Sequence, residues 1–404
     1  MAPETNPSSP ARSPRASTEI PQGAPAPAGT PLYVHLPFCV ALCHYCDFFS
    51  VVAEGQDIDG ALEAILDEAR QRAPASPRTV YLGGGTPSLL SLAQLERLLD
   101  GLEECTGFRT SAREVTAECN PESLDAAKAE GLLAGGVTRL SIGIQSLQPE
   151  VLASFGRVHT ARQGLDALEA ARSAGCTNVS ADLIYAAPGH DPQTWRRDLQ
   201  RVLEREPNHL SAYNLAFEEH TPFQRWLERG LIVAQPEEVE LELFWITREL
   251  CRDTGLEPYE ISSYAPLGQR CDHNLNYWAN GPYVGLGPSA VSHVAGTRSA
   301  SPRAIGPWRA AVAAGNAAAD WSETLAPAER LGETWWLGLR TAEGVDPAQA
   351  RRTAGFEGTD DPALAVARPL LEEGLLEERG QLLCLSERGL PLADAVAARF
   401  LGGF

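Results

Sequence analysis

The chain has 404 residues, 44% of them apolar, enough for two or three domains with a sizeable core. Its net charge is −20, from 53 acidic against 33 basic residues, which argues against broad nucleic-acid binding, because neutralising phosphates needs a basic surface. Nine cysteines, an odd count, disfavour a secreted disulfide framework and point to a reducing cytoplasm, and no apolar run is long enough to span a bilayer.

Residues 1–30 are mostly Pro, Ala, Ser, Thr and Gly, and the N-terminus lacks the apolar stretch of a signal peptide. Such a segment buries too little surface to offset its ordering entropy, so a disordered tail is expected. From Pro31 the pattern changes. A strand is predicted at Tyr33–Leu36. A helix is predicted at Ile58–Arg72, where Ile58, Leu62, Ile65, Leu66 and Ala69 recur at helical spacing. The alternation continues with strands predicted near Thr79, Val115, Leu140, Val179 and His209 and helices predicted near Leu92, Leu124, Ala161 and Pro192. Six strands alternating with helices at short spacing predict βα units and a parallel sheet. A long helix is predicted from Glu237, and then an irregular zone rich in Gly, Tyr, Asn and Pro from Glu257 to Pro307. The stretch GLLEERGQLLCLSERG reads as a helix end, a hairpin and a turn, as in a winged-helix module. The expected domains are residues 31–320 and 321–404.

After the first strand comes PFCVALCHYCDF, with Cys39, Cys43 and Cys46 spaced C-x3-C-x2-C. Three thiolates on a short loop suit an iron–sulfur cluster with one iron left open. The bland alternatives are unrelated buried thiols, or a zinc site completed by His35 or His44. Further along, YLGGGTPS, TAECNPES, RLSIGIQS, FGRVH and SADLIYAAPG place glycines, carboxylates, amides and an arginine at or near successive strand ends. A barrel-mouth site requires polar groups of that kind.

The cysteine spacing, with Tyr45 just before the third thiol, resembles the radical SAM superfamily. The resemblance implies a partial (β/α)6 barrel of TIM type, with a small C-terminal winged-helix-like domain. It implies a 4Fe–4S cluster on Cys39, Cys43 and Cys46, whose open iron chelates S-adenosylmethionine (SAM). One electron can then cleave the sulfonium. By resemblance to the anaerobic coproporphyrinogen dehydrogenase group, Tyr33, Gly84, Gly85, Thr86, Glu118, Gln145, Arg157, Asp182 and Ala216 would line the SAM pocket. Arg157 would pair with the SAM carboxylate, and Asp182 would accept from ribose hydroxyls.

Those dehydrogenases usually carry a further cysteine two residues after the third, and here that position is Phe48. CDFFS, together with HNLNYW at His273–Trp278, resembles a sister family of haem chaperones instead. The resemblance implies haem contacts from His273, Asn274, Tyr277 and Trp278, with Cys271 as a second candidate ligand. An imidazole can ligate haem iron, and Tyr and Trp offer flat apolar area. Read from the residues alone, the histidine is either that ligand or a satisfied core histidine. The function implied is a haem chaperone that delivers haem to an acceptor protein, with a respiratory membrane protein and a homodimer both compatible. The alternative is oxygen-independent decarboxylation of coproporphyrinogen III.

Overall fold

The computed structural model describes residues 26–315 and 320–402. Residues 1–25 of the expected tail lie outside that range. Thr30 is already buried, and Gly29 N donates to Ala75 O at 3.1 Å.

The βα units form in order. They run β1 (Leu32–Leu36), α1 (Ile58–Arg72), β2 (Thr79–Gly84), α2 (Leu92–Thr106), β3 (Glu114–Cys119), α3 (Ala126–Ala134), β4 (Arg139–Gln145), α4 (Ala161–Ser173), β5 (Val179–Tyr185), α5 (Pro192–Leu203) and β6 (His209–Asn214). Local signals set the helix starts. Asp57 accepts from Gly60 N ahead of α1, and capping boxes at Ser91/Gln94 and Thr160/Gln163 open α2 and α4. Then come α6 (Pro222–Glu228), α7 (Glu237–Asp253), β7 (Ser263–Tyr264), α8 (Asp272–Trp278) and β8 (Val284–Leu286). The sheet order is β8-β1-β2-β3-β4-β5-β6-β7, parallel except for the last pair.

The strand period of two divides the side chains between two environments. Val34, Leu36, Val80, Leu82, Val115, Ala117, Leu140 and Ile142 belong to the apolar core shared with the helices. Their neighbours Tyr33, Tyr81, Glu118, Arg139, Ser141 and Asp182 line the barrel lumen. Polar side chains from successive strands therefore converge in the lumen, while the outer wall supplies the hydrophobic stabilisation.

The zone expected to be irregular contains α8, β8 and a short antiparallel sheet. Helix α8 plugs the N-terminal end of the barrel. Glu114, at the start of β3, accepts from Asp272 N at 2.9 Å and from His273 N at 3.0 Å. Arg78 donates to Asn276 just below β2. A second apolar core runs from Leu331 through Trp335 to Phe400, with the Trp335 and Phe400 rings stacked 5.0 Å apart. Its hairpin pairs Leu376–Arg379 with Leu382–Leu385. It meets the plug where Asn280 donates to Glu333 and Thr334 at 3.2 and 3.1 Å.

Candidate cluster and cofactor site

The cysteine loop leaves β1 at the C-terminal end of the strands and is fixed by its backbone. Val51 N donates to Pro37 O at 2.7 Å, Ala53 N to Cys39 O at 2.9 Å, and His44 N to Phe155 O at 3.0 Å. The glycine turn after β2 is tied to its base, with Gly85 N on Leu36 O and Thr86 N on Phe38 O, both at 2.8 Å. A Cβ at Gly85 would lie 2.6 Å from Leu36 O. Its glycine is therefore required by close approach of the chain to itself.

Cys39, Cys43 and Cys46 all line one cavity of about 750 Å³ at this end of the barrel. Burial pushes the Cys46 thiol up to about 12 and raises Cys39 as well. Thiolates in such a place need a cation to offset the lost hydration, and iron would supply one. Among the described residues, no three His, Cys, Asp or Glu side chains converge to hold a single metal ion. The three thiols share one cavity, which suits a cluster that would give each thiolate its own iron.

All nine residues expected at the SAM pocket line this same cavity. Arg157 joins the two sides of the site. Its Nη1 donates to Cys43 Sγ at 3.6 Å, and its Nη2 to Asn120 Oδ1 at 2.7 Å and Gly143 O at 2.6 Å. Asn120 Nδ2 donates to Thr86 Oγ1 at 3.0 Å, and Thr86 Oγ1 lies 3.6 Å from Cys39 Sγ. Glu118 accepts from Tyr81 OH at 2.8 Å and Gly84 N at 3.1 Å, and burial raises its carboxyl to about 7. Asp182 accepts from Ser141 and Ser180, both at 2.8 Å. Gln145 holds φ at +65°, beside a register shift in β4. A non-glycine residue in that region is strained and marks a position held for a purpose.

The HNLNYW segment behaves differently from expectation. It is helix α8 rather than a loop, and of the four proposed haem contacts only Asn274 and Tyr277 reach the cavity. His273 is fully buried in the plug. Its Nδ1 is 2.9 Å from Thr79 Oγ1 and its Nε2 is 2.8 Å from Tyr277 OH. Both ring nitrogens are occupied, so this imidazole has no lone pair to offer iron. Half-buried Trp278 does not line the cavity, and Cys271 is buried with its thiol 3.5 Å from Glu114. His273 instead packs against Tyr81, with ring centroids 5.1 Å apart, and Tyr81 holds Glu118. The hexapeptide is thus a foundation beneath Glu118.

Comparison with known proteins identifies this set of features. A family model for the radical SAM superfamily matches residues 33–202, and one for the HemN C-terminal domain matches residues 325–392. The chain is 31% identical over 375 residues to the haem chaperone HemW of Bacillus subtilis, covering 92% of this chain and 98% of that one. The haem chaperone HemW of Mycobacterium tuberculosis is 34% identical over 397 residues, covering 96% and 99%.

This chain belongs to the HemW family.

A solved structure, the coproporphyrinogen III oxidase HemN of Escherichia coli, matches with a TM-score of 0.79 at 24% identity, covering 94% of this chain and 91% of that one. At that identity it speaks for the fold alone. The HemW-family cavity also contains residues absent from the expected set, namely Tyr81, Asn120, Arg139, Ser141 and Tyr283. Arg139 is 2% exposed, and its Nε and Nη1 have no hydrogen-bond partner among the described residues. The alternation in RLSIGIQS carries the signal for two of them, because Arg139, Ser141, Gly143 and Gln145 share one face of β4. Among the described residues, no helix is long and apolar enough to cross a membrane.

Proposed function

We propose that this chain is a haem chaperone that holds a 4Fe–4S cluster and SAM and transfers haem to an acceptor protein. The observation that carries this reading is the match to proteins named haem chaperones over 98% and 99% of their lengths. Phe48 supports it. This side chain is 65% exposed on the cluster loop, where the coproporphyrinogen dehydrogenases usually carry a further cysteine.

In this reading Cys39, Cys43 and Cys46 hold the cluster. Tyr33, Gly84, Gly85, Thr86, Glu118, Gln145, Arg157, Asp182 and Ala216 form the SAM site. When bound, the cluster and SAM supply one-electron chemistry at the sulfonium. The residues themselves bind and orient. Arg157 neutralises a carboxylate next to the cluster, Glu118 accepts from an ammonium when ionised, and Asp182 accepts from hydroxyl groups. The nine cysteines are all free thiols, which supports a reducing compartment such as the cytoplasm. The acceptor is a haem-requiring protein, with a respiratory membrane protein as one candidate class, and a homodimer is compatible with this role.

The test is an anaerobic assay of cluster-reconstituted protein with SAM, an electron donor and coproporphyrinogen III. The expected result is no protoporphyrinogen, alongside haem binding and haem transfer to an apo-acceptor. Multiple turnovers would overturn the reading in favour of the decarboxylase.

A further inference from the structure

The cluster loop has two faces. Its three cysteines and Tyr45 line the cavity, but His44, between Cys43 and Tyr45, does not. His44 lies half-buried at the outer surface of the loop. Its Nδ1 is 2.7 Å from the carbonyl oxygen of Ser154. A carbonyl can only accept, so Nδ1 carries the proton and Nε2 keeps its lone pair. Among the described residues Nε2 has no hydrogen-bond partner, and it is not a buried atom. A metal-binding histidine is commonly held in this way, with the far nitrogen tied to a carbonyl or carboxylate. Phe223 N also donates to His44 O at 3.0 Å, which fixes the backbone.

The surroundings suit a flat apolar ligand. Trp226 stands edge-on to the imidazole, with ring centroids 4.8 Å apart. Leu42 is 48% exposed, and so are Val158 at 53% and Leu231 at 67%. Leu231 N donates to Trp226 O at 2.9 Å, so it stands beside the tryptophan. Scattered exposed apolar side chains are ordinary, but Leu42 precedes His44 by two residues on the same loop and Leu231 adjoins Trp226, so the surface on this side of the loop is apolar in character. Gly156 packs against one edge of the ring, where a Cβ would lie 3.2 Å from both Cε1 and Nε2, so a larger residue would crowd the nitrogen. Arg229 follows Trp226 by one helical turn at the end of α6 and is exposed, with no side-chain hydrogen bond or ion pair among the described residues.

We propose that His44 Nε2 is the axial ligand of the haem iron, with the porphyrin lying on Leu42, Val158 and Trp226 and a propionate meeting Arg229. This inference rests on the haem-chaperone reading and assigns its cargo a position. Cargo on the outer face and SAM in the lumen are held at the same time, separated by the thickness of the loop.

The test is haem titration of the reconstituted full-length protein, followed by Soret absorbance and electron paramagnetic resonance, with cluster iron measured in parallel. In His44→Gly, affinity is expected to fall at least tenfold and the histidine-type signal to disappear, with cluster iron unchanged. Imidazole in the buffer is expected to restore the signal. His44→Asn, which keeps a donor for Ser154 O, is expected to lose the signal as well. Unchanged spectra in both variants would overturn the inference and leave the chaperone reading standing. Loss in His44→Gly without imidazole rescue, with His44→Asn behaving as wild type, would make the ring structural and also overturn it. A wild-type protein that binds no haem would overturn the underlying reading.

Discussion

Arg157 donates to the thiol of Cys43 across 114 positions of sequence, at 3.6 Å, while its other nitrogen holds Asn120. One guanidinium therefore touches both the expected cluster ligands and the expected SAM pocket. Hydrogen bonds to cluster sulfur tune its potential. Arg157→Met is expected to shift the cluster midpoint to a more negative value and to weaken SAM binding by about tenfold, the loss of one charge-assisted contact. Spectroelectrochemistry and equilibrium dialysis on the reconstituted protein check both.

Glu118 gives a pH signature. Burial raises its carboxyl from an ordinary 4.5 to about 7, so near neutrality it is partly protonated. An ammonium on the ligand needs the carboxylate, so SAM affinity is expected to increase as the pH rises through 7. In Glu118→Gln that slope should vanish. For the stability of the ligand-free chain the opposite sense is expected. The stability linked to this group is fully present below 4.5 and is lost as the pH rises through 7. Calorimetric titration across that range checks the first trend, and melting temperature against pH checks the second.

His273 separates a structural role from a haem-binding one. Replacing it by Ala strands Thr79 and the Tyr277 hydroxyl and leaves a cavity beneath Tyr81. The expected cost is about 2–4 kcal/mol of stability, with weaker SAM binding and normal cluster iron. Denaturant unfolding of the ligand-free protein measures the first, and iron analysis the last.

Gln145 holds a left-handed backbone at φ +65°. Gln145→Gly is expected to stabilise the chain by up to about 1 kcal/mol while lowering SAM affinity, the pattern of a position strained for function. Chemical denaturation compared with SAM binding in one variant decides it.

Much of the barrel was legible because its signals are local. Val115 and Ala117 alternate with Thr116 and Glu118, and capping residues such as Ser91 mark helix starts. The cysteine triad and the polar residues near strand ends could be read for the same reason. HNLNYW could not. Whether a histidine offers its lone pair or spends it depends on its neighbours, and those of His273 come from residue 79, far back in the sequence, and from residue 277. Arg139 was missed because its importance lies in being buried with Nε and Nη1 lacking hydrogen bonds among the described residues, which is a property of the assembled lumen.

The cysteine loop is held by bonds from Pro37, Cys39, Phe155 and Phe223, none of which involves a thiol. Backbone bonds therefore shape this loop in addition to whatever its thiols take, so the geometry of the site can be damaged without touching a sulfur. A proline in place of Val51, which removes the donor to Pro37 O, would misplace three intact cysteines.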